Sequence, residues 1–260
     1  MALLTFLTDF GLTDYYVAAV KGTVLRLAPG TQIVDISHDV PPGDIATGAF
    51  LLGAAVPSFP IGTVHLAVVD PGVGSRRRLL AARTPFGGWV GPDNGLFTPL
   101  LADARVHSVE RAGLFLPGPG QTFHGRDRFA PIAAWLLRGE PIEELGPEVA
   151  DPVRLTGDPP RRSSGELRGR VIHVDRYGNL VTDIPAGWLP AEASGLRAEA
   201  GGHTATRFVA HYQQIPSGEA ALLSGSLGTL ELSLNGADLS RAWGVARGQE
   251  VSVTWREDRK

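Results

Sequence analysis

Cysteine is absent from the 260 residues, which excludes disulfides, thiolate metal ligands and cysteine nucleophiles together. Only oxygen and nitrogen chemistry remains. Long apolar runs are missing as well: none approaches the roughly 18 residues of a membrane-spanning helix. The opening MALLTFLTDFGLTD reaches its acidic residues too early for a secretory leader. The expectation is a cytoplasmic protein with no membrane partner. A surplus of one charge sign is lacking too. The formal net charge is −3, and the arginines are scattered through both halves, so electrostatic capture of nucleic acid has no support. What is present, 43% hydrophobic and 20% charged residues, is ordinary for a packed globular protein, and the length favours two domains.

The first half alternates between two periodicities. Leu3 to Leu7 is a short apolar run, followed by a polar corner and then a helical pattern from Tyr15 to Leu27. Gln32 to Ile36 reads as a strand, Asp44 to Ala55 as a helix, and Thr63 to Val69 as a buried strand. Shorter strands are expected at Leu79 to Arg83 and Gly88 to Val90, and a helix at Phe129 to Leu137. Such alternation predicts an α/β fold, a mostly parallel sheet with helices on its faces, forming an amino-terminal sandwich domain over residues 1–155. Residues 156–166, TGDPPRRSSGE, are polar and rich in breakers, as a linker should be. Beyond it, runs at Leu167 to Val174, Ala205 to His211, Ala220 to Leu223, Thr229 to Leu234 and Glu250 to Trp255 read as strands. Their spacing predicts a small antiparallel barrel or sandwich, a barrel being preferred, as a second domain over residues 167–260.

In open parallel sheets, ligands bind at the carboxyl ends of the strands. Four polar corners fall there: Thr8-Asp9-Phe10-Gly11 with Asp14, Asp70-Pro71-Gly72, Gly91-Pro92-Asp93-Asn94-Gly95, and Thr122-Phe123-His124-Gly125. Each alone reads as a turn. Asp70 could equally cap a helix, His124 could be structural, and Arg76-Arg77-Arg78 could be a solvated run. Four corners carrying acids, a histidine and arginines together weigh against that reading. An arginine turned inward would supply positive charge to an anionic nucleophile.

Six ordered segments, LTDFG, VDPGVGS, GPDNGLFTPLL, TFHGRDRFAP, DRYGNLVTDI and SGSLGTLELSLN, make the chain similar to the S-adenosylmethionine hydrolases, also called hydroxide adenosyltransferases. The resemblance to the fluorinase and chlorinase is more distant. The resemblance to the hydrolases implies a water-activating set of Asp70, Arg77 and His124, the arginine being chosen by its seven-residue distance from the aspartate. It also implies that Asp9 bonds the ribose hydroxyls, with Thr122 and Phe123 lining the sugar. Asp14, Asp175 and Ser226 would hold the amino-acid end, while Tyr177, Asn179 and Tyr212 would stack on and hydrogen-bond adenine, although Tyr177-Gly178-Asn179 alone reads as a β-turn. A homotrimer with sites shared between subunits is implied as well. The implied reaction releases neutral methionine from a sulfonium, so neither a metal nor a cofactor is expected.

Three rivals are open. A halogenase would use the same substrate, but the fluorinase resemblance has tyrosine at the position of Asp70, differs at that of His124, and carries an extra loop for which the compact stretch from Leu79 to Asp93 leaves no room. Gly125 is compatible with a small anion pocket. A metal-dependent phosphoesterase could be drawn from Asp9, His38, Asp39, Asp70, Asn94 and His124, without the usual Asp-x-His and Gly-Asn-His spacings. A non-catalytic nucleoside sensor is the third.

Overall fold

The structure is a computed structural model that describes residues 2–117 and 121–256. Met1 and residues 257–260, which the expected domain limits include, lie outside the described residues. The fold is mixed α/β with two sheets, and the chain divides into two compact units at the Thr156–Gly157 bond.

The first unit contains β1 (Leu3–Thr8), α1 (Tyr16–Leu27), β2 (Gln32–Ser37), α2 (Ile45–Ala55), β3 (Thr63–Val68), β4 (Leu79–Thr84), β5 (Gly87–Pro92), β6 (Arg105–Ser108) and α3 (Ala130–Leu137). The sheet order is β2-β1-β3-β5-β4-β6. Alternation along each strand sends its side chains to opposite faces. Leu4 and Phe6 of β1, with Val64, Leu66 and Val68 of β3, join Val20 and Val24 of α1 and Ile132 and Leu136 of α3 in one core. Leu7, Ala67 and Val69 join Ala49 and Leu52 of α2 in another. Both faces are thus covered, which explains why β3 is buried along its whole length. The start of α2 is fixed by Asp44, whose carboxylate accepts from the Thr47 N–H at 3.1 Å and the Thr47 hydroxyl at 2.7 Å. A cap of this kind contributes about 1 kcal/mol.

The sheet is less parallel than alternation suggests. Three pairings are parallel, β1 with β2, β1 with β3 and β3 with β5, whereas β4 runs antiparallel to both β5 and β6. A two-residue connection, Pro85-Phe86, can only return the chain antiparallel, and the Thr84 hydroxyl closes it by accepting from the Phe86 and Gly87 N–H groups.

The second unit contains β7 (Arg161–Ser163), β8 (Glu166–Val174), β9 (Leu180–Pro185), β10 (Ser194–Ala200), β11 (His203–Ala205), β12 (Phe208–Val209), β13 (Ala220–Ser224), β14 (Thr229–Leu234), α4 (Leu239–Trp243) and β15 (Glu250–Arg256). The strand path is β11-β10-β15-β8-β9-β14-β13-β12, with β7 on β8. Two sequence expectations change. The run at 205–211 is two strands at opposite ends of this path, since β11 pairs with β10 and β12 pairs with β13. Within the expected linker, β7 pairs antiparallel with β8; an exposed edge needs only backbone partners, so its polar side chains carry no strand signal.

Close packing supplies a test. A Cβ at Gly91 of β5 would collide with the Ala67 carbonyl oxygen on neighbouring β3 and with the Phe97 ring, whereas one at Gly22 of α1 meets nothing within 4 Å. Gly91→Ala is expected to destabilise by about 3 kcal/mol through overpacking, and Gly22→Ala to stabilise by about 0.8 kcal/mol through helix propensity. Thermal or urea unfolding of the two variants should give opposite signs.

Candidate active site

Parallel β1 and β3 end at the same sheet edge, so the residues that follow them, Asp9 and Asp70, are delivered to one place. The bond before Asp70 is held from the next strand: Asn94 Nδ2 donates to the Val69 carbonyl at 2.8 Å, while Asn94 Oδ1 accepts from the Leu96 N–H. Its neighbour Asp93 is structural. It accepts from Arg78 Nε at 2.6 Å and from the Val153 N–H at 2.7 Å, and Arg78 reaches on to Asp151.

These ties decide which of the three consecutive arginines faces inward. Arg78 is spent on Asp93 and Asp151, and Arg76 is exposed. Arg77 turns in: its Nε donates to Asp70 Oδ1 at 2.6 Å, its Nη2 donates to Asp70 Oδ2, and Nη2 also lies 2.9 Å from His124 Nδ1. The guanidinium sits over the Phe129 ring at 5.3 Å. Both charged side chains are nearly buried, Asp70 at 4% and Arg77 at 9% exposure. Arginine only donates, so His124 Nδ1 is the acceptor, and a neutral ring then carries its proton on Nε2. That Nε2 has no partner in the protein. Burial, reinforced by the positive charges of Arg128 and Arg77, pushes the His124 imidazole down to about 4. His124 immediately precedes a π-helical turn, Gly125–Phe129, a rare geometry often found at functional sites.

A cavity of about 300 Å³ opens beside this cluster, lined by Asp9, Asp70, Thr122, Phe123 and His124 among others. Asp9 Oδ2 accepts from the Gly43 N–H at 2.8 Å. Phe10, which the sequence placed in the Asp9 corner without a role of its own, lines the cavity, as do Tyr15 and Tyr16, which sequence reasoning missed; the adjacent tyrosine pair at the start of α1 was the available signal. Asp14 is exposed and lies outside the lining.

In the second unit a cavity of about 610 Å³ is lined by Asp175, Tyr177, Asn179 and Tyr212, together with Ile215 and Asn235. Asp175 is committed to its own turn: it accepts from the backbone N–H groups of Tyr177 and Asn179 and from Asn179 Nδ2, at 2.8 to 2.9 Å. Gly178 at φ +83° closes that turn, and a side chain there would strike Asp238. Tyr212 donates its hydroxyl proton to buried Glu231 at 2.8 Å. Burial and this carboxylate push the phenol up to about 12. Glu231 was not foreseen, because β14 (TLELSL) alternates polar and apolar residues, and an acid at one of its polar positions reads as solvent-facing. Ser226 is exposed in the β13–β14 turn and is not part of the lining.

Among the described residues, no group of three or more histidine, aspartate or glutamate side chains is arranged to hold a metal ion. Nor is any helix among them long and apolar enough to cross a membrane.

Residues 4–146 match the SAM hydroxide adenosyltransferase N-terminal domain, and residues 169–252 match the SAM hydroxide adenosyltransferase C-terminal domain. The chain belongs to this family. Among its relatives, an (R)-S-adenosyl-L-methionine hydrolase of Thermus thermophilus is 42% identical, the alignment covering 95% of this chain and 98% of that one. A fluorinase of Actinoplanes sp. is 27% identical, covering 97% of each. A crystal structure of an uncharacterized conserved protein from Thermotoga maritima superposes with a TM-score of 0.88 at 32% identity, covering 96% of this chain and 99% of that one.

The His124 imidazole gives a pH prediction. An unfolded histidine titrates near 6.5, above the folded value of about 4. The unfolded state therefore binds the extra proton first, and the contribution of His124 to stability is full above 6.5 and lost as pH falls towards 4. NMR titration of the ring should give a midpoint near 4, and Arg128→Ala should raise it while leaving it below 6.5, since burial remains. A wild-type midpoint at 6.5 would contradict the assigned environment.

Proposed function

We propose that this chain hydrolyses S-adenosyl-L-methionine to adenosine and L-methionine, with water attacking the ribose C5′ carbon. The observation that carries the reading is the buried Asp70–Arg77–His124 cluster beside a cavity that also exposes Asp9, in a member of this family. The sulfonium leaves as a neutral thioether, so the electron pair of the C5′–S bond needs neither an acid nor a metal to receive it. What the enzyme supplies is an oriented water. Asp70 accepts a proton from that water as the O–C5′ bond forms, the Nε2–H of His124 donates to the water oxygen and directs a lone pair at carbon, and Arg77 holds both partners in place. Alignment with the C–S bond adds the entropic part of the acceleration.

Asp9 takes the ribose hydroxyls, with Thr122 and Phe123 along the sugar. Tyr177, Asn179 and Tyr212 take adenine, while Asp14, Asp175 and Ser226 address the amino-acid end. For Asp175 this role competes with the three donors it already holds. On the strength of the family resemblance we infer a homotrimer in which a site is completed by a neighbouring subunit; the division of the candidate residues between the two units is compatible with that arrangement. Domain limits at 1–155 and 167–260, joined by 156–166, belong to the same reading, as does a cytoplasmic location. The amino-terminal domain is a sandwich of helices on a mostly parallel sheet. The second domain is a small barrel; Ala205 of β11 and Leu222 of β13, from opposite ends of the strand path, share one apolar core, which supports closure.

Product identification tests the reaction. Adenosine and methionine should form with chelator present, and both sulfonium epimers should be offered, because the Thermus relative is named for the (R) form. Formation of 5′-chloro-5′-deoxyadenosine in place of adenosine, or loss of turnover with chelator, would overturn the proposal. Asp70→Ala should abolish turnover while adenosine still binds, and Asp9→Ala should weaken adenosine binding by about 1 to 3 kcal/mol. For the shared site, mixing inactive Asp70→Ala and Asn179→Ala chains should restore activity; subunit exchange without recovery would refute it.

A further inference from the structure

Behind the loop that carries Asp9, a line of polar side chains runs inward from the surface. Lys21 Nζ on α1 donates to Asp35 Oδ2 on β2 at 2.6 Å. Asp35 Oδ1 lies 3.1 Å from His38 Nε2, within ion-pair reach though off the direction of a well-formed hydrogen bond. His38 Nδ1 is 2.8 Å from Thr8 Oγ1, and Thr8 Oγ1 accepts from the Phe10 N–H at 3.2 Å. In the tautomer that carries its proton on Nε2, facing the Asp35 carboxylate, His38 Nδ1 accepts from the Thr8 hydroxyl, whose oxygen still accepts from the Phe10 N–H. Thr8 is fully buried, His38 is 4% exposed, and neither lines the cavity beside Asp9.

The endpoints make this more than a satisfied core histidine. The His38 carbonyl accepts from the Gly11 N–H at 2.8 Å, and Gly11 holds φ +66°, a conformation that favours glycine. One residue thus ties the chain on both sides of Asp9, through its ring to Thr8 and through its backbone to Gly11. The loop that follows His38 supplies the third tie, the Gly43 N–H on Asp9 Oδ2. Phe6 packs edge-on to the His38 ring, with centroids 4.9 Å apart, and fixes its plane. We propose that Thr8 and His38 are positioning residues for Asp9, setting the loop so that the second carboxylate oxygen reaches the ribose hydroxyls. The proposal rests on the reading of Asp9 as the ribose acceptor.

The test uses the full chain and measures the adenosine Kd, kcat and KM for S-adenosylmethionine, and Tm. Thr8→Val removes the hydroxyl at similar volume, and Thr8→Ser keeps it. Thr8→Val should weaken adenosine binding about tenfold, in the range for a buried hydrogen-bond partner lost, and should raise KM in step with kcat changed less. Thr8→Ser should recover most of the loss. If Thr8→Val does not fold, His38→Asn, whose amide takes the place of Nδ1, should bind adenosine more tightly than His38→Ala. Equal losses in Thr8→Val and Thr8→Ser, or in the two His38 variants, would show a merely structural role and overturn the proposal. So would a wild-type Kd in folded Thr8→Val when Asp9→Ala is weakened. An unchanged Kd in Asp9→Ala would instead remove the ribose reading, and this inference with it.

Discussion

The guanidinium of Arg77 is the constraint around which the first unit is organised. A nearly buried arginine beside a nearly buried aspartate is costly unless geometry and extra hydrogen bonds compensate. Here Arg77 meets both oxygens of Asp70, the Nδ1 of His124 and the face of Phe129. Removing any partner would leave a charge or a polar nitrogen stranded, so the group behaves as a unit. It also sets chemical roles that neither partner has alone. Because arginine can only donate, the histidine is held in one tautomer, and burial with two nearby arginines keeps that ring neutral across the physiological range.

The fold delivers this cluster through ordinary sheet geometry. Parallel pairing of β1 with β3 brings Asp9 and Asp70 to one edge, and the hairpin of β4 and β5 places Arg77, just before β4, opposite Asn94, just after β5. The Asn94 amide then holds the Val69 carbonyl next to Asp70. The strand cores that enforce the pairing are apolar and alternate between two faces, so a register slip would bury the wrong set of side chains. Precision at the polar edge is inherited from packing in the middle of the sheet.

What could be read in the sequence follows from how local each signal is. The three helices of the first unit were legible within one residue, because the amphipathic period of α1, the alanine- and leucine-rich composition of α2 and α3 and the Asp44 cap are local signals. The corner carrying Asp70 was legible as a polar break after an apolar strand, whereas the one carrying His124 leads into the π-helical turn, and the described element before it is a short helical turn at Ala112–Leu114. The choice among Arg76, Arg77 and Arg78 was not a local matter: it depends on Asp151, more than seventy residues away, capturing Arg78. Strand β10, with alanines and an arginine among its residues, lacks the β-branched composition that marks strands. Glu231 could not be recognised as a partner of Tyr212 before β14 was paired. The carboxylate of Asp175 illustrates the converse, since a residue in a conspicuous motif proves to be holding its own turn.

The carboxylates beside the two cavities are used in opposite ways. In the first, Asp9 keeps one oxygen on the Gly43 amide and has the other available towards a cavity, and Asp70 retains lone pairs beyond those that Arg77 engages. Their value is in what they can still accept. In the second, Asp175 spends its oxygens on three donors within five residues, and Glu231 accepts from Tyr212 and Ser233. Those acids stiffen the backbone and the ring beside it, leaving Tyr177 76% and Tyr212 50% exposed. Large aromatic faces held out in water by a rigid turn and a tethered hydroxyl give up burial that a folded chain would otherwise gain. The first cavity therefore keeps acceptor oxygens open, whereas the second keeps two aromatic faces exposed.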